Sequence, residues 1–116
     1  MLRLMDIISG IRNRITTESM SRLRAEWMTF SDDRILAFLE STGAGHNYRG
    51  IEVNTLDRGD KISYSTIKRR VPKLLDVGLV RELEGEGNYY AITEQGEKYL
   101  AGDFDARELP DPDSSE

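Results

Sequence analysis

A chain of 116 residues is one domain's worth of protein, with room for a modest core but not for a large enclosed active site plus a scaffold. It has no cysteine and one histidine, which excludes a disulfide framework, a Cys/His zinc site and a thiol nucleophile. Acids outnumber bases 21 to 16, a net charge of -5, and arginine outnumbers lysine; this carboxylate surplus is compatible with a halophilic source.

In chain order, residues 1–26 form an N-terminal extension. Leu4, Ile8, Ile11 and Ile15 recur at helical spacing, interrupted by Gly10. Three readings stay open for it: a packing or dimerisation helix, a segment ordered by a partner, or a membrane-surface helix. Met20 is an alternative start. Arg3, Asp6, Arg12 and Arg14 distinguish residues 1–15 from a signal-peptide core, and nothing approaches the roughly 20 apolar residues of a membrane span. A soluble, cytoplasmic protein is expected.

From Ser31 the signals sharpen. Ser31 or Asp32 can cap a helix over about 32–42, with Asp32 and Asp33 at its positive end and Ile35, Leu36, Phe38 and Leu39 on its buried stripe. "STGAGHNYRG" (41–50) breaks it with three glycines. It is not a phosphate loop, and His46 within it is expected to face solvent. Ile51, Val53 and Leu56 mark a second helix ending near Arg58 and Gly59.

A third helix, about 63–76, starts at Ser63 as N-cap, with Ile67, Val71, Leu74 and Leu75 on one face and Gly78 as its stop. Pro72 lacks an N–H and predicts a kink or looser turn near Lys68 to Pro72. "LVRELEG" and "NYYAIT" read as two strands around the turn "GEG", with Tyr89 and Tyr90 on opposite faces. "TEQGEKYLAG" is a closing helix capped by Thr93 that returns Tyr99 and Leu100 to the core. The tail, 103–116, is acidic, holds Pro110 and Pro112, and is expected to be disordered.

The expected fold is α+β and mainly helical: three helices, a two-stranded wing and a closing C-terminal helix, over residues 27–102. This is the layout of a winged helix-turn-helix.

Residues 58–73 carry six bases, Arg58, Lys61, Lys68, Arg69, Arg70 and Lys73, against Asp60 alone. An acidic protein gains no solubility from such an island. Duplex DNA carries about one negative charge per 1.7 Å of axis, so a cationic helix that fits the major groove binds it by counterion release. On the third helix Ser65, Arg69 and Lys73 oppose the apolar face, Lys68 and Thr66 flank them, and Arg70 lies nearer the core boundary, where its stem can cover apolar atoms. Arg69 suits guanine edges, while Tyr64, Ser65 and Thr66 suit phosphate or base edges. Lys61 precedes the helix, and Arg81 and Asn88 are wing candidates, although Glu82, Glu84 and Glu86 make the wing acidic.

"WMTFSDDRILAFLEST", "ISYSTIKRRVPKLLDVGLV" and "YYAITEQGEKYLAGDFD" resemble the winged helix-turn-helix regulators of haloarchaea and their viruses, the PhiH1-repressor-like group. The resemblance implies DNA binding through Ser63, Tyr64, Ser65, Thr66, Lys68, Arg69 and Lys73, as a homodimer on operator DNA, and repression of transcription. A rival reading is a winged-helix adaptor that engages a basic partner through its acidic wing and tail. Catalysis is not expected: Asp32 with Asp33, and Glu94 with Glu97, read as helix-start carboxylates. No metal, cofactor or small-molecule ligand is implied.

Overall fold

A computed structural model describes residues 22–85 and 87–112. The amphipathic segment within 1–19, Glu86 at the wing tip and residues 113–116 lie outside the described residues. The elements are α1 (Phe30–Thr42), α2 (Tyr48–Asp57), α3 (Tyr64–Asp76), β1 (Val80–Glu82), β2 (Tyr90–Ile92), α4 (Glu94–Ala101) and a 3₁₀ turn (Ala106–Glu108). This is the expected winged arrangement.

Local chemistry accounts for most boundaries. Asn47 Oδ1 accepts from Gly50 N at 2.7 Å and starts α2; Ser63 Oγ accepts from Thr66 N at 3.2 Å and starts α3; Thr93 Oγ1 accepts from Gly96 N at 3.1 Å and starts α4. The start of α1 differs from expectation. Thr29 is its N-cap, and Asp32 reaches back to accept the Thr29 backbone N–H at 2.8 Å, so the helix begins before Ser31. Helical structure continues through Pro72 to Asp76 with no break; its ring lies on the exposed side, and the Lys68 carbonyl forgoes one N–H partner there.

The helices close around Ile35, Leu36, Leu39, Ile51, Ile67, Val71, Leu74, Leu79 and Tyr99, all fully buried. Each such side chain contributes on the order of 1.5–3 kcal/mol by leaving water. Val53 and Leu56, read from sequence as part of the second helix's apolar pattern, are instead exposed; only Ile51 and Thr55 of α2 are buried.

The hairpin is antiparallel, pairing Val80 with Ile92, Arg81 with Ala91 and Glu82 with Tyr90. Its turn is wider than the three residues expected: Leu83 N still donates to Tyr89 O at 2.9 Å, and Gly85 and Asn88 both take positive φ. Tyr90 is buried and Tyr89 exposed, as alternation requires. His46 is not a solvent-facing loop residue. Its backbone bonds that of Tyr90 in both directions at 2.9 Å, its ring packs 5.0 Å from Phe38, and Nε2 meets Thr42 Oγ1 at 2.9 Å. The chain before α2 thereby adds a third, one-residue rung beside the wing.

The packed unit exceeds the expected 27–102. Ala25 is buried, Leu23 bridges Asp105, and Ala106 N donates to Leu23 O at 3.0 Å. The first part of the acidic tail is therefore folded: Ala106 is fully buried, Phe104 and Leu109 pack on the core, and Asp105 Oδ1 caps the Arg107 N–H at 2.9 Å. Composition favoured disorder; the pairing of the segment around Leu23 with that around Asp105 and Ala106 explains the difference.

Candidate nucleic-acid interface

The segment that leads into α3 is held from two sides. Arg34 on α1 donates through Nη2 to the backbone carbonyls of Asp60 and Lys61 at 3.0 and 2.9 Å, and to Asp60 Oδ1 at 2.7 Å. Thr55 on α2 accepts from Ile62 N at 3.1 Å while donating to Ile51 O at 2.7 Å. These bonds fix the turn between α2 and α3, so the direction in which α3 leaves it is set by α1 and α2 together.

Along α3, Ile67, Val71 and Leu74 face the core, and Tyr64, Ser65, Lys68, Arg69, Pro72 and Asp76 are exposed. Thr66 and Lys73 are half-buried at the borders. Ser63 spends its hydroxyl on the cap and on Thr66 Oγ1 at 2.9 Å, which makes it a fixer of the helix start rather than a free donor. Lys61 is exposed just before it.

The six bases of the island do not share one surface. Arg58 lies over the Phe38 ring, 4.9 Å from its centroid, and donates to Ser41 Oγ at 2.7 Å, on the α1–α2 side. Arg70 turns inward: Nε donates to Asp32 Oδ1 at 2.9 Å, and Nη2 donates to Asp32 Oδ2 at 2.8 Å and to Trp27 O at 3.2 Å. Its expected place among the DNA-binding residues is thus corrected, because the guanidinium is buried against a carboxylate. Lys61, Lys68 and Arg69, with Lys73 at the border, form the outer cationic face.

Asp32 and Asp33 are likewise more than helix-start charges. Asp33 Oδ2 accepts from Arg24 Nη2 at 2.7 Å, and its Oδ1 accepts the Tyr99 hydroxyl at 2.6 Å. The neighbouring carboxylate holds the Arg24 guanidinium above its ordinary range, while burial and then Asp33 push the Tyr99 phenol up.

Beside the start of α3, Asn47, Tyr48, Arg49, Tyr64 and Asn88 line a cleft of about 330 Å³. Tyr48 stacks on Tyr90 at 5.3 Å and meets Tyr64 edge-on at 6.1 Å, so α2, α3 and the wing are joined by aromatic contact. Burial pushes the Tyr48 phenol up. Arg49 is an exposed cation that the sequence reading missed, since it sits in the glycine-rich run outside the basic island; the N-cap signal at Asn47 was the available clue. On the wing, Arg81 and Asn88 are exposed, and Glu82 accepts the Asn88 backbone N–H at 2.8 Å, which turns one acid to structural use. Among the described residues no cluster of His, Cys, Asp or Glu could hold a metal, and no helix is long and apolar enough to cross a membrane.

Residues 20–111 match the sequence profile described as the winged helix-turn-helix phage repressor. The chain belongs to that family. It is a family of DNA-binding regulators and not of enzymes. The chain is 36% identical over 84 residues to the repressor protein of Halobacterium phage phiH, an alignment covering 70% of this chain and 88% of the phage protein. It is also similar to the crystal structure of the PhiH1 repressor-like protein from Haloarcula marismortui, with 37% identity, a TM-score of 0.63, and coverage of 76% of this chain and 93% of the other. The PhiH1-repressor resemblance read from the sequence is borne out.

Proposed function

We propose that this protein is a sequence-specific repressor that binds duplex DNA as a homodimer in the cytoplasm and reads the major groove with α3. The observation that carries the reading is the two-faced α3: an apolar side fully buried, and an outer side of Tyr64, Ser65, Lys68 and Arg69 exposed in a protein of net charge -5. An acidic protein is repelled by DNA except where it presents such a face, so the charge pattern favours one orientation of approach. Arg69 and Ser65 serve base edges; Lys61, Lys68, Lys73 and Tyr64 serve phosphates, with Arg49 and the wing's Arg81 and Asn88 at the flanks. Similarity to the repressor protein of phage phiH supports repression as the outcome.

Selection of bound duplexes from a random pool at several salt concentrations tests this, run beside a Lys68→Ala/Arg69→Ala variant. Enrichment of one motif by the wild type, lost in the variant, is the expected result. Equal behaviour of both proteins, with no motif even at low salt, would refute it.

A further inference from the structure

Arg70 and Asp32 form an ion pair whose side chains are 11% and 0% exposed, and whose two donor–acceptor contacts are parallel: Nε to Oδ1 at 2.9 Å and Nη2 to Oδ2 at 2.8 Å. The same Asp32 carboxylate accepts the Thr29 N–H that starts α1, and the same Arg70 Nη2 donates to the Trp27 carbonyl. One fork therefore ties α3 to the first turn of α1 and to the segment before it.

We infer that Arg70 is a positioning residue for DNA reading: its fork on Asp32 sets the rotation of α3 about its own axis, and so the direction in which Ser65 and Arg69 point. This rests on the proposed reading of duplex DNA by α3. Ile67, Val71 and Leu74 seat the helix on the core, but apolar contacts are non-directional and tolerate small rotations. A two-point guanidinium–carboxylate fork does not. A side-chain tip about 5–6 Å from the helix axis moves about 2 Å for each 20° of rotation, enough to break a hydrogen bond to a base. Arg69 directly precedes Arg70, about 100° round the helix from it, so fixing one fixes the other.

Energetics point the same way. Replacing a buried ion pair with packed apolar groups is often neutral or stabilising, so stability alone does not account for burying this one; orientation does. Burial also withdraws the pair from screening, whereas the Debye length of exposed charges falls to about 3 Å at 1 M salt. At such salt a buried fork holds α3 where a surface pair would not.

The test uses the full chain, the duplex enriched in the selection above and a scrambled duplex of equal length. Arg70→Lys keeps the charge and loses the fork; Arg70→Met with Asp32→Leu removes both charges and packs the site. Unfolding is followed by circular dichroism for each. The expected result is a cooperative melt in both, unchanged affinity for the scrambled duplex and unchanged salt dependence, and a loss of about tenfold or more in preference for the selected duplex. Full preference in whichever variant folds overturns the inference. So does a salt slope reduced by about one in the double variant, since Arg70 would then be a phosphate contact. A wild type without any preference refutes the DNA reading itself.

Discussion

Tyr99 on α4 donates its hydroxyl hydrogen to Asp33 Oδ1 on α1 at 2.6 Å, across 66 positions of sequence, in a fully buried setting. The bond joins the closing helix to the helix on which the N-terminal segment is also anchored through Arg24. Tyr99→Phe keeps the ring and removes the donor, leaving a buried carboxylate paired with Arg24 at 2.7 Å and Arg22 at 3.7 Å but with Oδ1 short of its hydroxyl donor. A hydrogen bond to a charged group contributes about 1.5–3 kcal/mol, and a loss of that size is expected in urea unfolding. The phenol is raised from 10.0, so its neutral form is favoured in the folded state; stability is complete below pH 10 and falls as pH rises beyond it. The variant should show a shallower alkaline decline, with Tyr48, also raised, supplying what persists.

His46 titrates in the opposite sense. Burial first, and then Arg58, lower its value from 6.5, so the neutral ring is favoured in the folded state. Its contribution is complete above pH 6.5 and is lost as pH falls through the depressed folded value. Melting temperature measured between about pH 7.5 and pH 5 should decline in the wild type and decline less in His46→Gln. Parallel curves would show that the ring does not couple to folding.

Gly96 on α4 has no room for a side chain: a Cβ there would run into the Leu79 carbonyl oxygen and lie 2.7 Å from Ile92 Cγ1. Gly96→Ala should raise helix propensity and still destabilise by about 1–3 kcal/mol, because overpacking outweighs it. A more stable variant in thermal melts would mean that the hairpin yields to α4.

Arg58 counts toward the basic island in sequence but stacks over Phe38 and bonds Ser41. Arg58→Ala should cost about 0.5–1 kcal/mol of stability and leave DNA affinity and its salt slope unchanged. A slope shallower by about one would put this residue on phosphate after all.

How much of this was legible follows from the range of each interaction. Ser63 and Thr93 announced their helices because a cap and the N–H it accepts sit within three residues, and Ile67, Val71 and Leu74 announced a core face because periodicity is local. The start of α1 slipped to Thr29 because its signal lies in Asp32, a residue already accounted for as a cap itself. Arg70 sat at the boundary of the helical wheel, where only its partner, 38 positions earlier, decides which way it turns. His46 and Tyr90 pair across a similar gap, and the burial of Ala106 depends on Leu23; composition carries no trace of either contact. For the candidate interface, the α3 face was readable and Arg49 was not, since its neighbours Tyr64 and Asn88 reach it only through the fold.

The central claim, that the outer face of α3 binds duplex DNA, is tested most directly by fluorescence anisotropy of the wild type and of Lys68→Ala/Arg69→Ala against the selected duplex over a salt series. The predicted result is a linear fall of log affinity with log salt in the wild type, a slope shallower by about one in the variant through loss of the Lys68 phosphate contact, and loss of preference for the selected duplex through loss of Arg69. Equal affinity and equal slope in the two proteins would contradict it.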